Sequence, residues 1–355
     1  MQPVYETLTE LPHSPGRYRA RLPVTIDTNG FEVCVWVNAF VGAQPGPTLT
    51  LLSGLHGNEW RHLEYFRRLI DRIDPATIAG TLLVVPMANQ VAFGRLSRYV
   101  PDDSDNGDAN RAFPVAAVQH TWLAEQVASK VAEEVLARSD CLVDFHLGMW
   151  GSTLGSSLVG IDYSDGEVNR RSAELSLAFG NPFIYRTRLV QHFPGPRSSQ
   201  GYAGEVLKIP SCGSMLGGAG FDAALEERWL QENLTGISNV MKHMSMIEGP
   251  PQLPERYLLY ETVQRVNPRL GGLLVPENYP DDFGRAVAEG ELLGHVVSPF
   301  TFDVLEELRA PFEGYLAYWA RSYPVRPGDW AYCVIPKDHA GTRWIDRQQA
   351  GKELP

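Results

Sequence analysis

Apolar residues recur along the first two thirds of the chain with two alternating periods. Residues 31–40 alternate apolar and polar side chains after an Asn29-Gly30 pair, the signature of a strand entered from a hairpin turn. Residues 48–52 form a short apolar run that stops at Ser53-Gly54, as a buried strand running into a loop does. The spacing then becomes helical over residues 59–73, where Trp60, Leu63, Phe66, Leu69, Ile70 and Ile73 share one face. Residues 82–86 read as a second buried strand, 118–136 as a second amphipathic helix and 141–145 as a third strand. Strands alternating with helices predict an α/β domain built on a mainly parallel sheet, whose ligand site lies at the carboxyl ends of the strands.

Past about Gly249 the helical period fades, and Gly, Pro and short strand-like runs take over. This divides the chain into an α/β unit over residues 1–249 and a small all-β unit over 250–355. The second unit carries a loose internal echo. Leu270-Gly271-Gly272-Leu273 and the Gly284 to Gly294 stretch are matched by Ala310 to Tyr315 and by Tyr323 to Asp329. Two such hairpins suggest a barrel resembling a biotinyl or lipoyl carrier. A carrier needs a lysine at a hairpin tip, however, and none occurs between Lys242 and Lys337. Two uses are open for this unit: shielding the site, or joining subunits into a homo-oligomer.

Composition narrows the classes. A chain of 355 residues with 44% hydrophobic and 21% charged residues is long and apolar enough for a large core. The net charge of −11, with no basic run, argues against nucleic acid as a partner. Glu6 and Glu10 stand where a secretory signal would be basic, and no apolar stretch approaches the length of a membrane span, so a cytoplasmic protein is expected. Cys34, Cys141, Cys212 and Cys333 are far apart and read as buried free thiols.

Candidate chemistry sits at the ends of the predicted strands. His56 and Glu59, three residues apart at a loop-to-helix junction, offer an imidazole and a carboxylate to one metal ion. Taken alone the spacing recurs by chance. His146 emerges from the third strand within Asp144-Phe145-His146-Leu147-Gly148, and alone it fits a hydrogen-bonded core histidine better than a ligand. Together the three make the two-His, one-Glu set of zinc hydrolases, with a fourth position left for water. Between them lies Asp108-Ala109-Asn110-Arg111-Ala112-Phe113-Pro114, preceded by Arg98. Asn110 and Arg111 suit a substrate carboxylate, and Arg98 suits a polarised carbonyl, although each arginine singly also fits a surface ion pair. His62 and His120 read as surface residues, while His192 and Arg197 lie in a Pro/Gly loop that could contact substrate.

In this order, His56-x-x-Glu59, Asn110-Arg111-x-Phe113-Pro114 and Asp144-x-His146-x-Gly148 resemble the succinylglutamate desuccinylase and aspartoacylase family. The resemblance spans nearly the whole chain. It implies a zinc-carboxypeptidase-like fold with a C-terminal β-domain and one zinc ion per chain on His56, Glu59 and His146. It further implies a substrate carboxylate held by Asn110 and Arg111, and a scissile carbonyl polarised by Arg98. One departure stands out. The family's late strand carries a catalytic Glu after an Ile-Pro pair, and the matching stretch from Ile209-Pro210 reads Met215 at that place. A thioether accepts no proton, and loss of a general base costs about 10² to 10⁴ in rate. Glu205, on the same segment, is the first candidate to replace it. The expectation is a zinc-dependent deacylase acting on a small N-acylated amino acid or related carboxylate. The alternatives are a lyase-type zinc enzyme and a non-catalytic carboxylate binder.

Overall fold

The computed structural model describes residues 3–101, 105–114, 122–147, 153–154, 157–189, 195–218, 223–277, 283–320 and 323–353. In chain order the strands are β1 (Val4–Tyr5), β2 (Gly16–Ile26), β3 (Glu32–Val41), β4 (Gln44–Ser53), β5 (Ala79–Val85), β6 (Cys141–Phe145), β7 (Thr153–Leu154), β8 (Leu158–Asp162), β9 (Phe183–Arg188) and β10 (Ser211–Ser214). They continue with β11 (Arg256–Tyr260), β12 (Gln264–Val266), β13 (Gly272–Pro276), β14 (Ala286–Val287), β15 (Leu292–Val297), β16 (Val304–Arg309), β17 (Gly314–Ala320), β18 (Tyr323–Val325), β19 (Tyr332–Pro336) and β20 (Arg343–Asp346). The helices are α1 (His62–Arg72), α2 (Gln90–Gly94), α3 (Leu123–Lys130), α4 (Gly166–Phe179), α5 (Ser199–Gly201), α6 (Ala223–His243) and α7 (Arg347–Glu353). None is long and apolar enough to cross a membrane among the described residues.

An 11-stranded sheet, in the order β1-β2-β3-β5-β4-β6-β10-β8-β9-β11-β20, forms the main layer. Its centre is parallel from β5 through β4 and β6 to β10, and β8, β9 and β11 run parallel to one another but opposite to β10. The sheet is therefore mixed. β4 is buried from Leu49 to Ser53 because both its faces are covered there: Leu52 packs with β3 and α3 on one side, while Leu49 and Leu51 pack with α1, α4 and α6 on the other. The predicted hairpin joins β2 to β3 through Asp27 and Phe31. The helix expected from residue 59 begins at His62, so Glu59 sits in the turns before it. The one expected over 118–136 starts at Leu123 among the described residues, widens into a π turn over Val131–Val135 and ends in a tight 3-10 turn at Arg138.

Two small antiparallel sheets make up the C-terminal unit, and the internal echo explains how they interlock. β13 and β15 pair in one sheet and β17 with β19 in the other, but β14 of the first half crosses to β17 while β18 of the second crosses to β13. Each half thus lends a strand to the other, around a shared core of Leu274, Leu293, Val296, Leu316, Tyr332 and Val334. The division at residue 249 does not divide the main sheet, because β11 and β20, both beyond it, form that sheet's far edge. A short run of local sequence carries no mark of which sheet it joins. The two units are fastened further: β7 pairs with the edge of β17, Leu225 and Trp229 of α6 are buried in the C-terminal core, and Phe183 of β9 packs on Phe283.

Trp229 is 3% exposed. Truncation of such a side chain costs about 3–5 kcal/mol. Trp229→Ala is expected to lower the urea unfolding midpoint and to split unfolding into two steps, the C-terminal unit melting first. An unchanged single transition would show that Trp229 does not couple the units.

Candidate metal centre

Strand register brings the histidines together. β4 and β6 pair in parallel with Ser53 opposite Phe145, so the loop carrying His56 and the residue His146 leave the sheet at the same edge. β10 continues the line, with Ser214 opposite Phe145 and the amide of His146 donating to the Ser214 carbonyl at 2.8 Å. Met215 is consequently the next residue over from His146. The turn holding His56 and Glu59 is pressed onto α2: a Cβ on Gly57 would lie 2.1 Å from the Ala92 carbonyl carbon. Only glycine allows this close approach.

His56, Glu59 and His146 are all buried, and one ligand atom from each lies within 4.8 Å of the others. Glu59 is at the centre. Its Oε1 is 2.9 Å from His56 Nδ1 and its Oε2 is 2.8 Å from His146 Nδ1. The other ring nitrogens are each held by a carboxylate: His56 Nε2 donates to Asp108 at 3.0 Å and His146 Nε2 to Asp144 at 2.9 Å. With the protons on Nε2, toward the aspartates, the two Nδ1 lone pairs converge beside the carboxylate, where an ion would be held; with no ion, each Nδ1 is at hydrogen-bond distance from Glu59. Two neutral imidazoles and one carboxylate, oriented from behind, fit a divalent ion with borderline-soft preferences such as zinc.

The electrostatics agree with an anionic pocket for a cation. Burial opposes the charge of Glu59, yet His56 and His146 hold its carboxyl well below the usual range. Burial likewise opposes a charged His146, but Asp144 and Glu59 raise it to about 10. For Asp108, burial is outweighed by the hydrogen bond from His56, and its carboxyl falls to about 2. Without an ion, a proton on His146 takes the place of the missing positive charge.

The surrounding residues divide into those that face the cavity and those that brace it. Arg98, Asn110 and Arg111 line a cavity of about 300 Å³ together with the three ligands and Met215. Arg98 donates to Glu59 Oε1 at 2.8 Å, and Arg111 donates to the Asn110 carbonyl at 2.6 Å. Asn110 is itself a brace. Its Oδ1 accepts from the Ser199 amide at 2.9 Å, its Nδ2 lies 3.1 Å from His146 Nε2, and Ser199 Oγ donates to Asp144.

Several expected residues stand elsewhere. Glu205 does not line the cavity; its carboxylate accepts from the Ser164 amide at 2.7 Å and from the Ser164 hydroxyl. Arg197 is also absent from the lining and straps the Asn-Arg loop, donating to the carbonyls of Phe113 and Ala112 at 3.2 and 3.3 Å. His62 is fully buried rather than on the surface, with Nδ1 3.0 Å from Ser53 Oγ, and burial lowers its pKa to about 4. His120 and His192 lie outside the described residues. The sequence reading gave no role to Asp108, Asp144 or Ser199. For Asp144 the signal was present: two positions before His146 in a strand places both side chains on one face.

A family model for the succinylglutamate desuccinylase/aspartoacylase catalytic domain matches residues 45–244, more than half of the chain. N-alpha-acetyl-L-2,4-diaminobutyric acid deacetylase of Halomonas elongata is 27% identical over 325 residues, covering 87% of this chain and 88% of that protein. A succinylglutamate desuccinylase/aspartoacylase from Rhodobacter sphaeroides superposes with a TM-score of 0.74 at 24% identity, over 92% of this chain and 98% of its own. The product-bound ectoine utilization protein EutE (DoeB) from Ruegeria pomeroyi gives a TM-score of 0.75 at 24% identity, over 92% and 97%. These structures share the fold.

Purified under metal-replete conditions, the protein is expected to carry about one zinc per chain by mass spectrometry, and a His56→Ala, His146→Ala variant none. Asp108→Asn, which leaves every ligand in place, should weaken zinc binding by about 10- to 100-fold in a chelator competition. Unaltered affinity would mean that the carboxylate behind His56 does not orient it.

Proposed function

The chain belongs to the succinylglutamate desuccinylase/aspartoacylase family, and from that membership we propose that it is a zinc-dependent deacylase cleaving the amide bond of a small N-acylated amino acid or related carboxylate. The observation that carries the reading is the convergence of His56 Nδ1, His146 Nδ1 and Glu59, each histidine fixed from behind by an aspartate. The Halomonas elongata relative, a deacetylase, supports amide cleavage as the reaction class.

A zinc ion held by these three residues supplies Lewis acidity toward a carbonyl and toward water. The protein's own groups do the rest. Arg111 presents a guanidinium to the substrate carboxylate, and Arg98, 2.8 Å from Glu59, is poised beside the point where an amide carbonyl meets the ligand cluster. Asn110 acts from behind, keeping the ring of His146 and the Ser199 turn in place. Negative charge developing on the carbonyl oxygen meets Arg98 in a site partly closed to water.

Proton transfer is where the site differs from a full hydrolytic set. Met215 occupies the strand end next to His146, and Glu59 is the one carboxylate among the described residues that line the cavity. Glu205 is engaged by Ser164. Among the described residues no side-chain carboxylate other than the ligand Glu59 lines the cavity to take a proton from an attacking water, and slow hydrolysis is expected. The same observation favours a second reading, a lyase-type or purely binding use of the same pocket.

Met215→Glu separates the two. Assayed with zinc-loaded protein on N-acyl amino acids, the variant is expected to raise the deacylation rate by about 10² to 10⁴ over the parent. If neither the parent nor the variant releases carboxylic acid from any N-acyl substrate that binds, the hydrolase reading gives way to the second.

A further inference from the structure

The order of strands sorts the cavity lining by polarity. Moving along the sheet from β4 through β6, β10, β8 and β9 to β11, the cavity-lining residues are His56, His146, Met215, Val159, Tyr185 and Tyr260. Each step is about 4.8 Å. The cations cluster at the first end, since Arg98 binds Glu59 and Arg111 sits against Asn110 and Asp108. On these strands the lining residues past His146 are apolar or aromatic, while Ser157, Thr262, Tyr318 and Arg265 add polar groups around them.

The aromatic end is built and held. Tyr185 and Tyr260 lie 5.4 Å apart at 31°, and the Tyr260 hydroxyl is taken by Ser157, which leaves ring surface toward the cavity. Met215 packs with Val159 and Tyr185 in one apolar cluster. Trp330, from the C-terminal unit, closes the rim, with the Arg265 guanidinium 3.7 Å from its ring centre. Arg98, Arg111 and Arg265 line the cavity against a single acid, Glu59, so a cationic group finds repulsion here. A polar or anionic acyl tail would lose its hydration against Met215, Val159 and the tyrosines, and among the described lining residues the cation at this end is Arg265, which is stacked on Trp330 at the rim.

We propose that the acyl group of the substrate is apolar and bulky, an aromatic or branched acyl chain lying on Met215, Val159, Tyr185, Tyr260 and Trp330. This rests on the deacylase reading for the placement of the carboxylate at Arg111 and of the amide over His56, Glu59 and His146. With the carboxylate-bearing half at the arginine end and the carbonyl at the ligand cluster, the acyl half points along the sheet toward β11. Met215 then has a use of its own: it extends the apolar wall up to the scissile bond. The volume of about 300 Å³ suits one ring beside an amide and a carboxylate.

The test is equilibrium binding of N-benzoylglycine, N-acetylglycine and N-succinylglycine to the zinc-loaded protein by isothermal titration calorimetry. N-benzoylglycine is expected to bind at least about 10-fold tighter than either of the others, and Trp330→Ala, at a half-exposed position, to narrow that preference. Tyr185→Phe, which keeps the ring, should preserve it. Equal affinities, or a preference for N-succinylglycine, would overturn the acyl assignment while leaving the deacylase reading in place. Absence of binding by all three would overturn both, and tight binding of N-benzoylglycine without release of benzoate, in the parent or in Met215→Glu, would leave the acyl pocket standing and remove the hydrolase.

Discussion

A carboxylate buried to 1% exposure at the centre of the protein is the constraint around which the site is organised. An isolated charge in such a place is prohibitively costly, so Glu59 must be met on all sides by donors or by a cation. His56, His146, Arg98 and the amide of Leu147 meet it. The requirement propagates outward. The two imidazoles need Asp108 and Asp144 behind them, and Asp144 and His146 need Ser199 and Asn110. Arg197 then fastens the loop that carries Asn110. The turn that delivers Glu59 fits only because Gly57 lets the chain lie against α2. Loop packing and the polar network thus answer the need to hold one acid at 1% exposure.

How much of this is legible in the sequence follows from the range of the interactions. The strands β3, β4 and β6 and the helix α1 are visible because burial on one or both faces writes a local period into the residue order. The ligand trio is visible because chemistry restricts each place to few residue types and parallel strands end at one edge. What depends on distant pairing leaves no local mark. The joining of β11 and β20 to the main sheet, and the burial of Trp229 in the C-terminal core, require knowing which surfaces meet. His62 shows the same limit: a histidine at the first turn of a helix suggests solvent, but the helix enters under Phe145 and Tyr65, and the ring is enclosed. The arginine of the Pro/Gly loop, Arg197, looks equally suited to substrate or to backbone carbonyls until its neighbours are known. The internal echo of the C-terminal unit was legible as repetition, whereas the exchange of β14 and β18 between its halves was not.

The C-terminal unit completes the cavity. Val263 and Arg265, on the chain leaving β11, and Ala317 and Trp330 from the small sheets form the wall opposite the strand ends. The pairing of β7 with β17 ties that wall to the chain that follows His146.

The change at residue 215 and the retention of the ligand cluster have opposite energetic signs. A thioether packed with Val159 and Tyr185 adds buried apolar contact where a carboxylate would have been desolvated, so methionine favours folding at that point. The cluster does the reverse. Glu59, Asp108 and Asp144 beside two histidines and two arginines form a buried charged network whose desolvation cost rivals its attraction, and well-packed hydrophobic residues of like volume hold a core as well or better. The fold alone has no need of these charges. Their full complement, with both Nδ1 atoms beside one carboxylate, suits the cation that the proposed function places there. Pairing a complete cation site with an apolar wall is what a pocket for a bulky, uncharged acyl group requires.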